Sequence, residues 1–185
     1  MHPAFSRALD SPIQANALVA MCDCSRFMQS SKGRSSAELF ADLNDFYLLT
    51  DDAIQAAGGF VVKFMGDAAL VVFPEDLADP GIMALLDLKA NVDRWIQDRA
   101  IGNSLHVNVH FGEVTLGRMG RAGSLDVIGE TVAIAAALGS RGFGISQQAF
   151  RQLTPEHRQQ FQKFTPPVLY LPKETGARNE ERTNG

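Results

Sequence analysis

The spacing of apolar positions changes several times along the chain, and each change marks an element. Residues 17–22 form an unbroken apolar run without alternation, the pattern of a central strand buried on both faces, which stops at Asp23. Ser35 followed by Glu38 makes a capping box. Leu39, Leu43, Phe46, Tyr47 and Ile54 then recur at helical spacing until Gly58 and Gly59 end the helix. Residues 60–64 and 69–73 are short apolar, β-branched runs joined by Met65-Gly66-Asp67-Ala68, which predicts a hairpin with Asp67 at its tip. Asp79 as cap and Pro80 at the first helical position open a second long helix, marked by Ile82, Met83, Leu86, Val92, Trp95 and Ile96. Leu105, Val107, Val109 and Phe111 alternate with His106, Asn108 and His110, a strand with one wet or interface-facing side, and a further strand over 113–116 follows Gly112. A Gly- and Arg-containing loop over 117–124, a strand over 125–128, a helix opened by Gly129 and running to about Leu138, a short strand at Ile145, a helix over 147–153 and an extended piece over 167–171 complete the chain. The order β-α-β-β-α-β with additions predicts an α+β domain. We expect a mostly antiparallel central sheet carrying helices on one face, a ferredoxin-like arrangement.

At 185 residues, 45% apolar and 21% charged, the chain has the make-up of one globular domain that can bury a core without disulfide or structural metal. The expected organisation is an N-terminal extension over 1–16, one domain over 17–172 and a disordered polar tail over 173–185. The longest apolar stretches, 17–22 and 132–138, fall short of the roughly 18 residues that cross a bilayer. The N-terminus lacks the pattern of a secretory signal, so no membrane association and a cytoplasmic location are expected. Cys22 and Cys24, two apart on a strand, are badly placed to bridge each other and read as small core hydrophobes. A net charge of -4 exerts no overall pull toward nucleic acid, so an anionic ligand must be held locally.

Two carboxylates occupy privileged points: Asp23 ends the first strand, and Asp67 sits in a hairpin turn. In a ferredoxin-like sheet those strands are neighbours. The pair then makes a hard oxygen site suited to Mg²⁺ or Mn²⁺, with a triphosphate supplying further ligands. Spacing alone equally allows a loop cap and a turn residue.

The surrounding words separate these readings. GGFVVKFMGDAALVVFP over 58–74, HFGEVTLGRMG over 110–120 and LDVIGETVAIAAAL over 125–138 resemble, in order, three blocks of the class III nucleotidyl (adenylate/guanylate) cyclase catalytic domain, and Asp23-Cys24-Ser25-Arg26-Phe27 resembles a divergent form of its first metal motif. The resemblance implies a cyclase homology domain that dimerises head to tail, a homodimer with two sites between protomers. It implies an adenylate cyclase, in which the 3′-hydroxyl of ATP attacks its own α-phosphorus to give 3′,5′-cyclic AMP and pyrophosphate. Two Mg²⁺ or Mn²⁺ ions per site would be held by Asp23, Asp67 and the carbonyl of Cys24. Lys63 matches the position that reads the purine and Asp126 its partner, a donor and an acceptor that suit adenine, whereas guanine readers carry Glu at the first position. Phe27 and Lys163 are further candidate substrate contacts, the latter where the family keeps a triphosphate-binding Lys.

The departures carry equal weight. The family places an Asn seven residues after the purine-reading Asp and an Arg eleven after it; here these positions are Ala133 and Ala137. The resemblance assigns the lost side chains to ribose orientation and to charge on the α-phosphate, groups that act mainly in the transition state. Two readings follow: a slow adenylate cyclase, and a catalytically silent domain that binds nucleotide or a partner in signalling. Arg118, Arg121 and Arg141 are candidate phosphate contacts. His106 and His110, four apart on a strand and so about 13 Å from each other, are too distant to share a metal and are expected on a face or interface.

Overall fold

The computed structural model of the chain describes residues 2–27, 32–102, 104–140, 142–165 and 168–173. Eight strands form one sheet: β1 Ile13–Cys24, β2 Phe60–Met65, β3 Ala68–Pro74, β4 Leu105–Met119, β5 Ser124–Ile128, β6 Phe143–Ile145, β7 Phe161–Phe164 and β8 Leu169–Pro172. The order is β2-β3-β1-β4-β6-β8-β7, with β5 pairing alongside β4. Every pairing is antiparallel except β4 with β6. The α+β architecture and the mostly antiparallel sheet are as the sequence predicts.

Six helices accompany the sheet in the described residues: α1 Pro3–Ser6, α2 Ser36–Ala56, α3 Ala78–Arg99, α4 Glu130–Ala137, α5 Gln147–Gln152 and α6 Pro155–Arg158. The capping box at the start of α2 is present in full: the Ser35 hydroxyl accepts from the Glu38 amide while the Glu38 carboxylate accepts from the Ser35 amide. On one sheet face, Leu18, Ala20, Cys22, Val71, Phe73, Val107 and Val109 pack with Phe46 and Ile54 of α2 and with Ile82, Leu85 and Val92 of α3.

The opposite face is covered too, which the single-faced expectation did not anticipate. Ala17, Val19, Leu70, Val72, Val114 and Leu116 pack there against Phe5 and Ala8, Val127 of β5 and Ala135 of α4. Residues 2–16 take part in the fold: β1 begins at Ile13, and Phe5 and Ala8 are each 1% exposed. Residues 174–185 of the expected polar tail lie outside the described residues, while Lys173 donates its amide to the Gln160 carbonyl.

Two further expectations give way to tertiary context, and one strand was not expected. Gly112 does not break the chain, because β4 runs through it for 15 residues with Gly112 opposite Ala17. Asp79 does not cap α3, whose first turn is entered from a 3₁₀ turn at Glu75–Leu77; its carboxylate instead accepts from the Thr154 amide and contacts His157 Nδ1 at 2.9 Å. A strand the periodicity did not reveal, β7, pairs with β8 at the sheet's outer edge.

Candidate functional site

Asp23 and Lys63 fall on the sheet face that carries the second core. Along β1 the even positions from Leu18 to Cys24 enter the first core and Ala17, Val19 and Met21 pack with the second, so Asp23, next in the odd series, points to the second face. Asp23 opposes Ala68 on β3 and His106 on β4. The β1 end is tied to the hairpin turn by the Cys24 amide, which donates to the Asp67 carbonyl at 2.9 Å. Burial raises the Asp23 pKa, the Asp67 charge raises it further, and His106 opposes both. The two carboxylates are thus near enough to repel each other.

That electrostatic conflict is the condition a cation relieves, and the donors are hard oxygens. Among the described residues no group of three or more His, Cys, Asp or Glu side chains gathers to hold a metal. Two carboxylates fit Mg²⁺ or Mn²⁺ completed by carbonyls, water and phosphate oxygens, and do not fit a closed all-protein cage. The Cys24 side chain is buried, and burial pushes its thiol pKa up; the Cys22 thiol is likewise pushed up to about 12 by burial and then by Asp23. Both cysteines are neutral core residues, as expected.

Lys63 reaches the same face through a backbone irregularity. Phe60 and Val61 oppose Val72 and Val71, but Lys63, Phe64 and Met65 oppose Leu70, Ala69 and Ala68, leaving Val62 as the extra residue of a bulge. Strict alternation from Phe60 would turn Lys63 toward α2 and α3. The bulge resets the phase, and Lys63 shares the face of Leu70, which belongs to the second core. From there its ammonium lies 2.7 Å from Asp126 Oδ2 on β5, across 63 residues of sequence. Asp126 Oδ1 accepts from the Val127 amide. Burial raises the Asp126 pKa, but the hydrogen bonds from Lys63 and Val127 and the Lys63 charge outweigh it and hold the carboxyl below its usual range.

Ala133 and Ala137 lie one turn apart on α4 and are both exposed, whereas Thr131 and Ala135 are its buried residues. The helix fits closely on β4 because Gly112 has no side chain; a Cβ there would come within 2.6 Å of Thr131 Oγ1, which donates to the Glu113 carbonyl.

Other candidates lie apart from this group. Phe27 is 1% exposed within the first core, so its side chain offers nothing to a ligand. Arg118 donates from Nε to the Leu9 carbonyl and from Nη1 to the Gly123 carbonyl, holding the N-terminal turn and the β4–β5 turn in place of a phosphate. Arg121 is exposed in that turn, and Lys163 is exposed on β7, at the opposite edge of the sheet from β2. Arg141 lies outside the described residues. The face expected to be wet at His106, Asn108 and His110 is largely used within the chain. His110 is 5% exposed and bonded to Ser146, and the Asn108 side chain accepts from the Ser140 amide and hydroxyl.

No protein-family model matches the chain. An adenylate cyclase of Anabaena cylindrica is 27% identical over 130 residues, which are 65% of this chain and 26% of that protein, so the chain spans about a quarter of its length. A bacterial light-regulated adenylyl cyclase superposes with a TM-score of 0.75 at 18% identity, covering 88% of this chain and 53% of that one. The catalytic core of a rhodopsin-guanylyl cyclase with converted specificity, in complex with ATPαS, superposes with a TM-score of 0.67 at 20% identity, covering 86% of this chain and 96% of that one.

Proposed function

The chain has the fold of the class III cyclase catalytic domain and a sequence match to an adenylate cyclase, and on that premise we propose that it binds ATP and closes it slowly to 3′,5′-cyclic AMP with release of pyrophosphate. The observation that carries this is the Lys63–Asp126 contact at 2.7 Å, because a donor and an acceptor brought together from distant strands match the N1 and exocyclic amine of adenine. Binding the base exchanges their mutual bond for two bonds to the purine. A guanine presents the opposite polarity at both atoms and leaves both groups mispaired, a loss that reaches several kcal/mol in a hydrogen-bonding site.

Asp23 and Asp67, with the Cys24 carbonyl, would hold Mg²⁺ or Mn²⁺, which when bound supplies charge to the triphosphate and acidity to the ribose hydroxyl. The protein's own share is positional. The Cys24–Asp67 backbone bond holds the two carboxylates together, and the bulge at Val62 aims Lys63. Arg121 and Lys163 are the exposed cations this reading assigns to phosphate. With Ala at 133 and 137 the chain has no side chain there to orient the ribose or meet charge on the α-phosphate, so ground-state binding is retained and turnover is low. A homodimer places the carboxylates of one protomer opposite the purine readers of the other. Among the described residues no helix is long and apolar enough to cross a membrane.

The second reading, a domain that binds nucleotide and signals by association without turnover, is favoured by the same two alanines. Incubation with Mn²⁺-ATP and, separately, Mn²⁺-GTP, with cyclic product quantified beside calorimetric binding, separates the two. Cyclic AMP above a no-enzyme control supports the cyclase; tight ATP binding without product supports the silent domain; absence of Mn²⁺-dependent ATP binding refutes the cyclase and leaves of the silent domain only the form that binds a partner.

A further inference from the structure

The Asp67 turn is gripped from a direction the sequence does not advertise. Met65 pairs with Ala68, so Gly66 and Asp67 form a two-residue hairpin loop. Gly66 has φ of +67° while Asp67 stays outside the left-handed region. This is the sign pattern of a type II′ turn, with glycine at the first central position. The alternative hairpin turn, type I′, differs by rotation of the single peptide between Gly66 and Asp67. That rotation sends the Gly66 carbonyl to the other side of the loop and makes the φ of Asp67 positive, a conformation Asp tolerates. The Asp67 carboxylate would then be aimed elsewhere. The Gly-Asp order itself favours type II′, but only modestly, because Asp is among the residues that tolerate a positive φ.

Tyr47 adds to that preference from outside the loop. Its hydroxyl donates to the Gly66 carbonyl at 2.9 Å, the carbonyl that must move in the rotation. The ring is held in place by stacking on Phe64 at 3.8 Å with 11° between planes, and Phe64 in turn meets Phe46 edge-on. The following carbonyl, of Asp67, is held by the Cys24 amide. The 66–67 peptide is therefore held by its carbonyl from α2, and the peptide after it is held from β1.

We propose that Tyr47 is a positioning residue for the metal-binding aspartate: its hydroxyl locks the 66–67 peptide in the turn that directs Asp67 toward Asp23. This rests on the metal reading above for its consequence, though not for its geometry. The test is Tyr47→Phe, which keeps the stacked ring and removes only the hydroxyl. In the metal-free protein, nuclear magnetic resonance should show the amides of Gly66, Asp67 and Ala68 doubled or exchange-broadened in the variant and single in the wild type. Calorimetric titration of Mn²⁺ in the presence of ATP should show affinity reduced about fivefold, and in an Asp67→Asn background Tyr47→Phe should cause no further loss. Unchanged turn signals in Tyr47→Phe would overturn the proposal, as would an equal loss of affinity with and without Asp67. If the wild type takes up no Mn²⁺ with ATP, the cyclase reading falls, and the turn signals alone decide whether Tyr47 sets the conformation of Asp67.

Discussion

Restoring Asn at 133 and Arg at 137 tests whether two missing side chains account for slow turnover. Both positions are exposed and one helical turn apart on α4, so the new side chains project from one face into open space with no core atoms to displace. The structural cost is confined to helix propensity, about 1 kcal/mol or less for the two changes together. The catalytic return is larger. One electrostatic donor at a developing charge is worth about 10² to 10³ in rate, and an arginine meeting a transferring phosphoryl group about 10³ or more. Because neither side chain has the supporting contacts of a native one, we expect cyclic AMP formation by Ala133→Asn/Ala137→Arg to rise at least about tenfold. ATP affinity should change far less, since these groups act mainly in the transition state. Rates of cyclic AMP formation measured beside calorimetric affinities decide the matter. A double variant that folds and binds ATP like the wild type yet gains no rate would refute the assignment, and so would a wild type already turning over at tens per second.

Lys63→Glu should erase or invert the preference for ATP over GTP, because a carboxylate at this position repels the Asp126 carboxylate now 2.7 Å from the ammonium and accepts where Lys63 donates; competition binding with both nucleotides reads this directly. Burial lowers the His110 pKa, with Glu130 opposing. Between the folded pKa and the unfolded value of about 6.5 the unfolded chain binds more protons, so stability is fully present above about pH 6.5 and is lost as pH falls through the folded pKa. Melting temperatures should drop across that acid range, and the drop should be smaller in His110→Gln. Gly112→Ala places a Cβ within 2.6 Å of Thr131 Oγ1, so denaturant titration should show a loss of about 1 to 3 kcal/mol from displacement of α4.

The elements legible in the sequence were those whose signal is local. The capping box at Ser35, the stop at Gly58 and the hairpin around Gly66 depend on neighbours within four residues, and each stands where the pattern puts it. What failed was local chemistry overruled at long range. Asp79 before Pro80 satisfies the rule for a helix start, yet its carboxylate is claimed by Thr154 and His157, more than seventy residues on. Gly112 has the composition of a break, but partners on β1 and the close approach of Thr131 make an uninterrupted strand with no side chain the better solution. His110, alternating like a solvent-facing residue, is buried because a second layer built from residues 5–8 and α4 closes over that face.

The candidate site was legible by residue type and not by direction. Asp23, Asp67, Lys63 and Asp126 could be chosen from motif positions, but a period of two tells which way a strand residue faces only while every residue advances the pleat by one step. Val62 does not. In the run Phe60-Val61-Val62 every side chain is apolar, so the skipped step leaves no trace in the pattern, and a strict count sends Lys63 to the wrong side of the sheet. The same blindness hid Tyr47, whose helical spacing marks it as a core residue and whose ring is one; its hydroxyl matters through a backbone carbonyl that no side-chain pattern records. Phe27 and Arg118 err in the opposite sense: each is the right residue type near a motif, and each is already committed, one to the core and the other to two carbonyls. Regular alternation places Asp23, but at Lys63 side-chain direction is decided by the backbone's departure from regularity, where the neighbouring residues carry the least informative sequence.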